Sequence, residues 1–132
     1  MGSFTNYFEK NILNAIGGND APIASTTMWM ALFTVAPSDA SGGTEATGGS
    51  YARKSTGAWS TCTDSGGSIY NVATITYATS SNTWGGSLTH FAMLTDSATG
   101  SMIAWGTLTA ARTIATNDVA AFAVGSVTIS LD

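Results

Sequence analysis

The sequence predicts a mainly β fold: an antiparallel β-sandwich or jelly-roll-like single domain with one N-terminal amphipathic helix. Three observations carry that reading. Short segments of alternating apolar and polar residues recur between clusters of Gly, Ser, Thr, Asn and Asp, the pattern of strands joined by turns. Only the first 18 residues hold a convincing 3.6-residue period. Finally, Thr26 to Pro37, TTMWMALFTVAP, runs without charge or glycine. At the strand period of two it places Trp29, Ala31 and Phe33 on one face and Met28, Met30 and Leu32 on the other, so it reads as a central strand covered on both faces. With 132 residues the chain is expected to be one domain over 1–132, with the helix in 1–18 and the sandwich in 26–132. That length buries roughly two-thirds of the unfolded surface without disulfide or metal staples.

In order, Phe4, Phe8, Ile12 and Ile16 recur every four residues, and Tyr7 and Leu13 widen the stripe. Ser3 is the expected N-cap and Gly17-Gly18 the expected stop. The stripe would attach the helix to its own sheet or to a neighbouring subunit. After the central strand, SDASGGTEATGG reads as a long surface loop, followed by a strand at Ser50 to Lys54 and a second irregular stretch through STGAWSTCTDSGG. Ser68 to Tyr77 reads as one strand with Ile69, Ala73, Ile75 and Tyr77 on one face. Gly86 to Thr95 follows, with Leu88, His90, Ala92 and Leu94 sharing a face; a hairpin at 96–100 leads into Ser101 to Thr109. Short strands at Arg112 to Ile114, Val119 to Val124 and Val127 to Leu131 finish the chain, with a turn at Asn117-Asp118 and a bulge at Gly125.

Charge narrows the partners. Only 9% of residues are charged, the formal net charge is −4, and Ala, Gly, Ser and Thr make up more than half the chain. Lys10, Arg53, Lys54 and Arg112 are too few and scattered to neutralise a phosphate backbone, so nucleic acid is not an expected partner. No apolar run approaches ~20 residues, and the N-terminus lacks a basic stretch leading into an apolar core, which predicts a soluble chain that is neither conventionally secreted nor membrane-bound. Cys62 is the single cysteine, so no intramolecular disulfide can form, as suits a reducing cytosol.

The residues suggest little reactive chemistry. His90, the only histidine, alternates onto an apolar strand face and reads as a core or edge residue. One His and one Cys cannot build a zinc site, and no serine has a nucleophile-elbow context. The Gly-Gly pairs do not complete a P-loop, and the aspartates sit in turn-forming surroundings. No catalytic residue, metal or cofactor is expected, although paired carboxylates meeting only in space stay open. The large side chains expected to anchor a core or an interface are Phe4, Tyr7, Phe8, Ile12, Trp29, Trp59, Trp84 and Trp105. The tryptophans could alternatively form a sugar-binding platform.

The segments SFTNYFEKNILNAI, MALFTVAPSDASGGTEATGGSYARKS, SNTWGGSLTHFAMLTDSATGSMIAWGTL and SVTISLD resemble, in matching order, a family of small virion structural proteins of tailed bacteriophages whose members carry the label tail fibre protein. The most specific features are GGSYAR at Gly48 to Arg53 and a W-G-x-x-T-H-F pattern, met here from Trp84 to Phe91 with one extra residue. The resemblance implies a non-enzymatic virion component, assembled in the host cytoplasm and forming a homo-oligomer, most simply a trimer. Its first expected role is a capsid decoration (cement) protein clamping the major capsid protein, because the chain shows no repeat or coiled coil of the kind fibres use. The alternatives are a tail or tail-fibre component bound to other tail proteins, and a carbohydrate-binding β-sandwich module for host-surface attachment.

Overall fold

The computed structural model describes residues 3–19, 27–40, 42–62 and 67–130; expectations placed on Asp20, Thr26, Asp64, Gly66 and Leu131 fall outside them. The elements are β1 (Ser3–Phe4), α1 (Asn6–Ile16), β2 (Trp29–Val35), β3 (Thr44–Glu45), β4 (Lys54–Ser55), β5 (Ser68–Tyr70), β6 (Ile75–Thr76), β7 (Ser87–Leu94), β8 (Met102–Thr113), β9 (Ala121–Phe122) and β10 (Thr128–Ser130). A six-stranded antiparallel sheet runs β1-β8-β7-β2-β3, with β4 also on β2; β5 pairs with β10, and β6 with β9. Among the described residues no helix is long and apolar enough to cross a membrane.

The run with two apolar faces is central, as its composition requires. β2 aligns Trp29 to Phe33 against Leu94 to His90 of β7, and it holds β3 and β4 on its other edge. Its alternate side chains enter two apolar clusters. Met30 and Leu32 join Trp84, Tyr77, Ile75, Leu88, Met93, Ile114 and Val127, with Phe122 and Ile129 of the small sheets packed against them. Ala31 and Phe33 join Ala92, Leu94 and Met102 on the opposite face, with Trp105 alongside. The first cluster thus lies between the large sheet and the two small ones, a β-sandwich-like arrangement. Each large side chain buried there contributes roughly 1.5–3 kcal/mol.

Five local expectations are corrected. Ser3 is not the helix cap: Ser3 and Phe4 are strand residues opposite Trp105 and Ala104, and Thr5 takes the N-cap position. The loop predicted over 38–49 contains β3, because Thr44 and Glu45 pair with Val35 and Phe33. The strand predicted at Ser50 to Lys54 begins only at Lys54, since Gly48, Gly49 and Ser50 all have positive φ and turn the chain. Ser68 to Tyr77 is two strands, not one, facing different partners. The break is made by Asn71, whose buried amide donates to the carbonyls of Ala73 and Ala123 at 2.8 Å each while its Oδ1 accepts the Val127 amide at 3.0 Å. Lastly, Leu88 does not share the face of Ala92 and Leu94. The register slips between Leu88 and His90, where the partners jump from Arg112 to Thr107, and Leu88 turns into the first cluster.

Helix α1 has the predicted period, yet none of its residues is buried, and Tyr7, Leu13 and Ile16 are exposed. It is fixed at its entry. The buried Thr5 amide donates to Ile103 O at 3.0 Å, its hydroxyl donates to Met102 O, and the Asn6 amide reaches Asp39 O at 3.0 Å.

Candidate functional site

Those entry bonds draw the start of α1 against the β7–β8 hairpin and the chain leaving β2, and a groove of about 700 Å³ opens between them. Its apolar lining is Phe33, Leu94 and Met102; its polar lining includes Asn6, Asp39, Glu45, Arg53, Thr99 and Ser101; Tyr7 also faces it. Local sequence explains the shape. Gly43 has φ +79°, and a Cβ there would come within 2.8 Å of Val35 O, so only glycine lets the chain return this closely to enter β3. The hairpin is held by Asp96, whose Oδ1 accepts the amides of Ala98 (2.8 Å) and Thr99 (3.2 Å); those bonds hold its carboxyl below the usual range.

The electrostatic centre of the groove is Glu45 with Arg53. Arg53 Nε donates to Oε1 at 2.9 Å and Nη2 to Oε2 at 2.8 Å, a two-pronged pair with both side chains largely covered. Nη1 adds a bond to Asp96 O at 3.3 Å. Tyr51 supports the carboxylate from behind, donating to Oε1 at 3.0 Å while its own oxygen accepts the Leu32 amide at 2.9 Å. The bond to Glu45 raises the Arg53 guanidinium further, and burial pushes the Tyr51 phenol well up. Exposed ion pairs contribute little because water and rotamer freedom compete. This one is fixed in place by two other groups, the Tyr51 hydroxyl and Asp96 O.

The predicted anchor residues separate. Trp84 is wholly buried, donates its indole N–H to Gly49 O at 2.9 Å and packs on Tyr51 and Tyr77, so it belongs to the core and to no surface platform. Trp59 is half-buried against the same core and donates to Thr56 Oγ1 at 3.0 Å. Trp29 is half-buried on β2, and Trp105 is half-buried beside His90, its indole reaching Asp39 Oδ1 at 3.4 Å. The four tryptophans therefore do not share one face. Phe4 stacks on Phe8 with ring centres 4.7 Å apart, Ile12 is half-buried, and Tyr7 alone of the eight lines the groove. Phe4 and Trp105 line a separate shallow groove beside β10.

The sequence does not join Glu45, Arg53 and Asp39 as a set, because eight residues separate the ion pair and Asp39 reads as a turn residue. A signal was present in the composition. In a chain this poor in charge, a lone Glu inside an otherwise polar-neutral stretch and an Arg within GGSYAR are unusual enough to suggest each other. Chemically, the groove offers fixed donors and acceptors of both signs. His90 lies elsewhere, with Nδ1 at 2.8 Å from Thr89 Oγ1, and no group of three metal-ligating side chains occurs among the described residues.

A protein-family model described as "Podophage GP4 fiber I protein gp80" matches residues 3–130. No curated protein matches the chain.

Proposed function

The chain belongs to the Podophage GP4 fiber I protein gp80 family, and from that membership we propose that it is a structural component of the phage tail fibres. A structural role in the virion follows from the family directly. The fibre assignment is supported by the family description, which spans all but the first two and last two residues. It takes precedence over the capsid-cement role expected from the absence of repeats and coiled coil, since a fibre can be assembled from several chains of which a compact β module is one.

In this reading the protein is not an enzyme. Its partners are other tail proteins and copies of itself, and its neutral, small-residue surface suits side-by-side packing in a symmetric assembly. The Glu45 carboxylate is held by Arg53 and Tyr51, an arrangement that serves rigidity better than proton transfer.

Immunogold labelling of purified virions with antibody to this chain, together with gel densitometry against the major capsid protein, tests the assignment. Gold on the tail and a copy number far below that of the capsid subunit support it. Gold over the shell and about one copy per capsid subunit would overturn it in favour of cement.

A further inference from the structure

The groove beside α1 has unused bonding capacity of a particular kind. An ionised carboxylate offers about four acceptor positions and a guanidinium five N–H donors. Among the described residues, Glu45 Oε1 takes two donors and Oε2 only one, while Arg53 Nη1 and Nη2 each use one of two hydrogens. An open acceptor on Oε2 therefore stands next to an open donor on Nη2, 2.8 Å apart. Two adjacent hydroxyl groups on one ring meet that pair well, one donating to Oε2 and its neighbour accepting from Nη2.

The remaining lining narrows the ligand further. Asp39, Asn6, Thr99 and Ser101 add acceptors and donors around an apolar floor of Phe33, Leu94 and Met102, and Tyr7, 42% exposed, presents an aromatic ring. A sugar ring has this same division, with C–H faces that lie on apolar or aromatic groups and a rim of hydroxyls. Two carboxylates against one guanidinium leave the groove with an excess of negative charge, which disfavours phosphate, sialylated or sulfated ligands; an ammonium ligand would meet Arg53. We propose that this groove binds a neutral saccharide, with a vicinal diol on Glu45 and Arg53 and one ring face on Tyr7. The tryptophans take no part. The inference stands on the groove and does not depend on where in the virion the chain resides.

The ion pair alone could serve only to tie β3 to the 51–53 segment. Tyr7 separates the two roles, because it makes no part of that tie. The test is amide NMR on the ¹⁵N-labelled full chain, titrated with glucose, galactose, mannose and rhamnose to roughly 100 mM, a range that detects millimolar Kd values. Saturable shifts at Asn6, Tyr7, Gly42, Gly43, Thr99 and Ser101 with at least one sugar are expected. Tyr7→Ala should keep the melting temperature and weaken that binding about tenfold, as should a sugar lacking one hydroxyl of the diol. No saturable groove shift with any of the four sugars, shifts confined elsewhere, or undiminished binding by Tyr7→Ala would overturn the assignment. Stronger binding of N-acetylneuraminic acid than of every neutral sugar would do so too.

Discussion

The phenol of Tyr51 donates to Glu45 Oε1 at 3.0 Å, so ionising that phenol would set an anion against a carboxylate inside a covered site. Tyr77, whose hydroxyl donates to Met30 O at 2.8 Å, is buried in the same aromatic cluster with Tyr51 and Trp84. Burial is the main reason both phenols are held far above the ordinary tyrosine value, and the nearby Glu45 adds to it.

Alkaline destabilisation follows with a defined sign. Both folded-state values are raised, so the neutral phenols contribute stability that is fully present below the unfolded pKa of about 10 and is lost as pH rises through the folded values. Above about pH 10, two such groups should cut the unfolding free energy by roughly 2.7 kcal/mol per pH unit. Urea titrations across that range measure the slope. Tyr77→Phe should remove about half of it, and a wild-type stability flat to about pH 11.5 would contradict the burial of these phenols.

Asn71 is the polar hub of the small sheets. Its buried side chain makes three bonds, to the carbonyls of Ala73 and Ala123 and from the Val127 amide, and its main chain bonds Val127 O and the Gly125 amide besides. Asn71→Ala leaves the buried Val127 amide without its side-chain partner and strips two carbonyls that water can reach in part, and should cost about 2–4 kcal/mol. Equilibrium urea unfolding reads this directly; a loss below about 1 kcal/mol would mean that water replaces the amide.

The same residue shows where sequence reading stops. From Thr74 to Tyr77 the alternation holds, with Ile75 and Tyr77 buried and Thr74 and Thr76 exposed, so the inward and outward sides are legible there; before it the pattern fails, because Val72 and Ala73 are exposed along with Thr74 and Ala73 does not share the inward face of Ile75. The break was not legible, because it depends on bonds from Asn71 to residues some fifty positions later. β2 was legible because its two apolar faces can be satisfied only in the middle of a sheet. Leu88 was not, because a register slip against β8 is decided by the partner strand. At the groove, Tyr7 is legible as a large side chain on the helix stripe though its exposure is not, whereas Glu45 and Arg53 meet only through the pairing of β3 with β2 and the turn at 48–50.

That turn gives a paired test. Gly49 has φ +53°, and a Cβ there would collide with Asn82 O and come within 2.8 Å of the Trp84 ring, whose indole N–H is bonded to Gly49 O. Gly57 has φ +68° with nothing within 4 Å of its would-be Cβ. Gly49→Ala should cost roughly 2–4 kcal/mol, combining backbone strain with overpacking. Gly57→Ala should cost only about 1 kcal/mol, the backbone share alone. Equal losses in chemical denaturation would show that φ, and not the approach to Trp84, makes position 49 special.

The helix offers a contrast between a polar anchor and an apolar stripe. Its sequence period points to Phe8, Ile12, Leu13 and Ile16 as the residues that hold it, yet Leu13 is 67% and Ile16 78% exposed, and Phe8, half-buried, stacks on Phe4. Thr5 is 2% exposed, and its amide and hydroxyl bond Ile103 O and Met102 O. Thr5→Val keeps the shape and the amide bond but strips a buried carbonyl of its hydroxyl partner, a cost of about 1–3 kcal/mol. Phe8→Asp should lose the ring contact for about 1–2 kcal/mol, less than a fully buried phenylalanine would, and Leu13→Asp should stay within about 0.5 kcal/mol. Thermal and urea unfolding of the three variants ranks them. A large loss from Leu13→Asp with little from Thr5→Val would mean that the stripe, and not the cap, fastens α1 to the sheet.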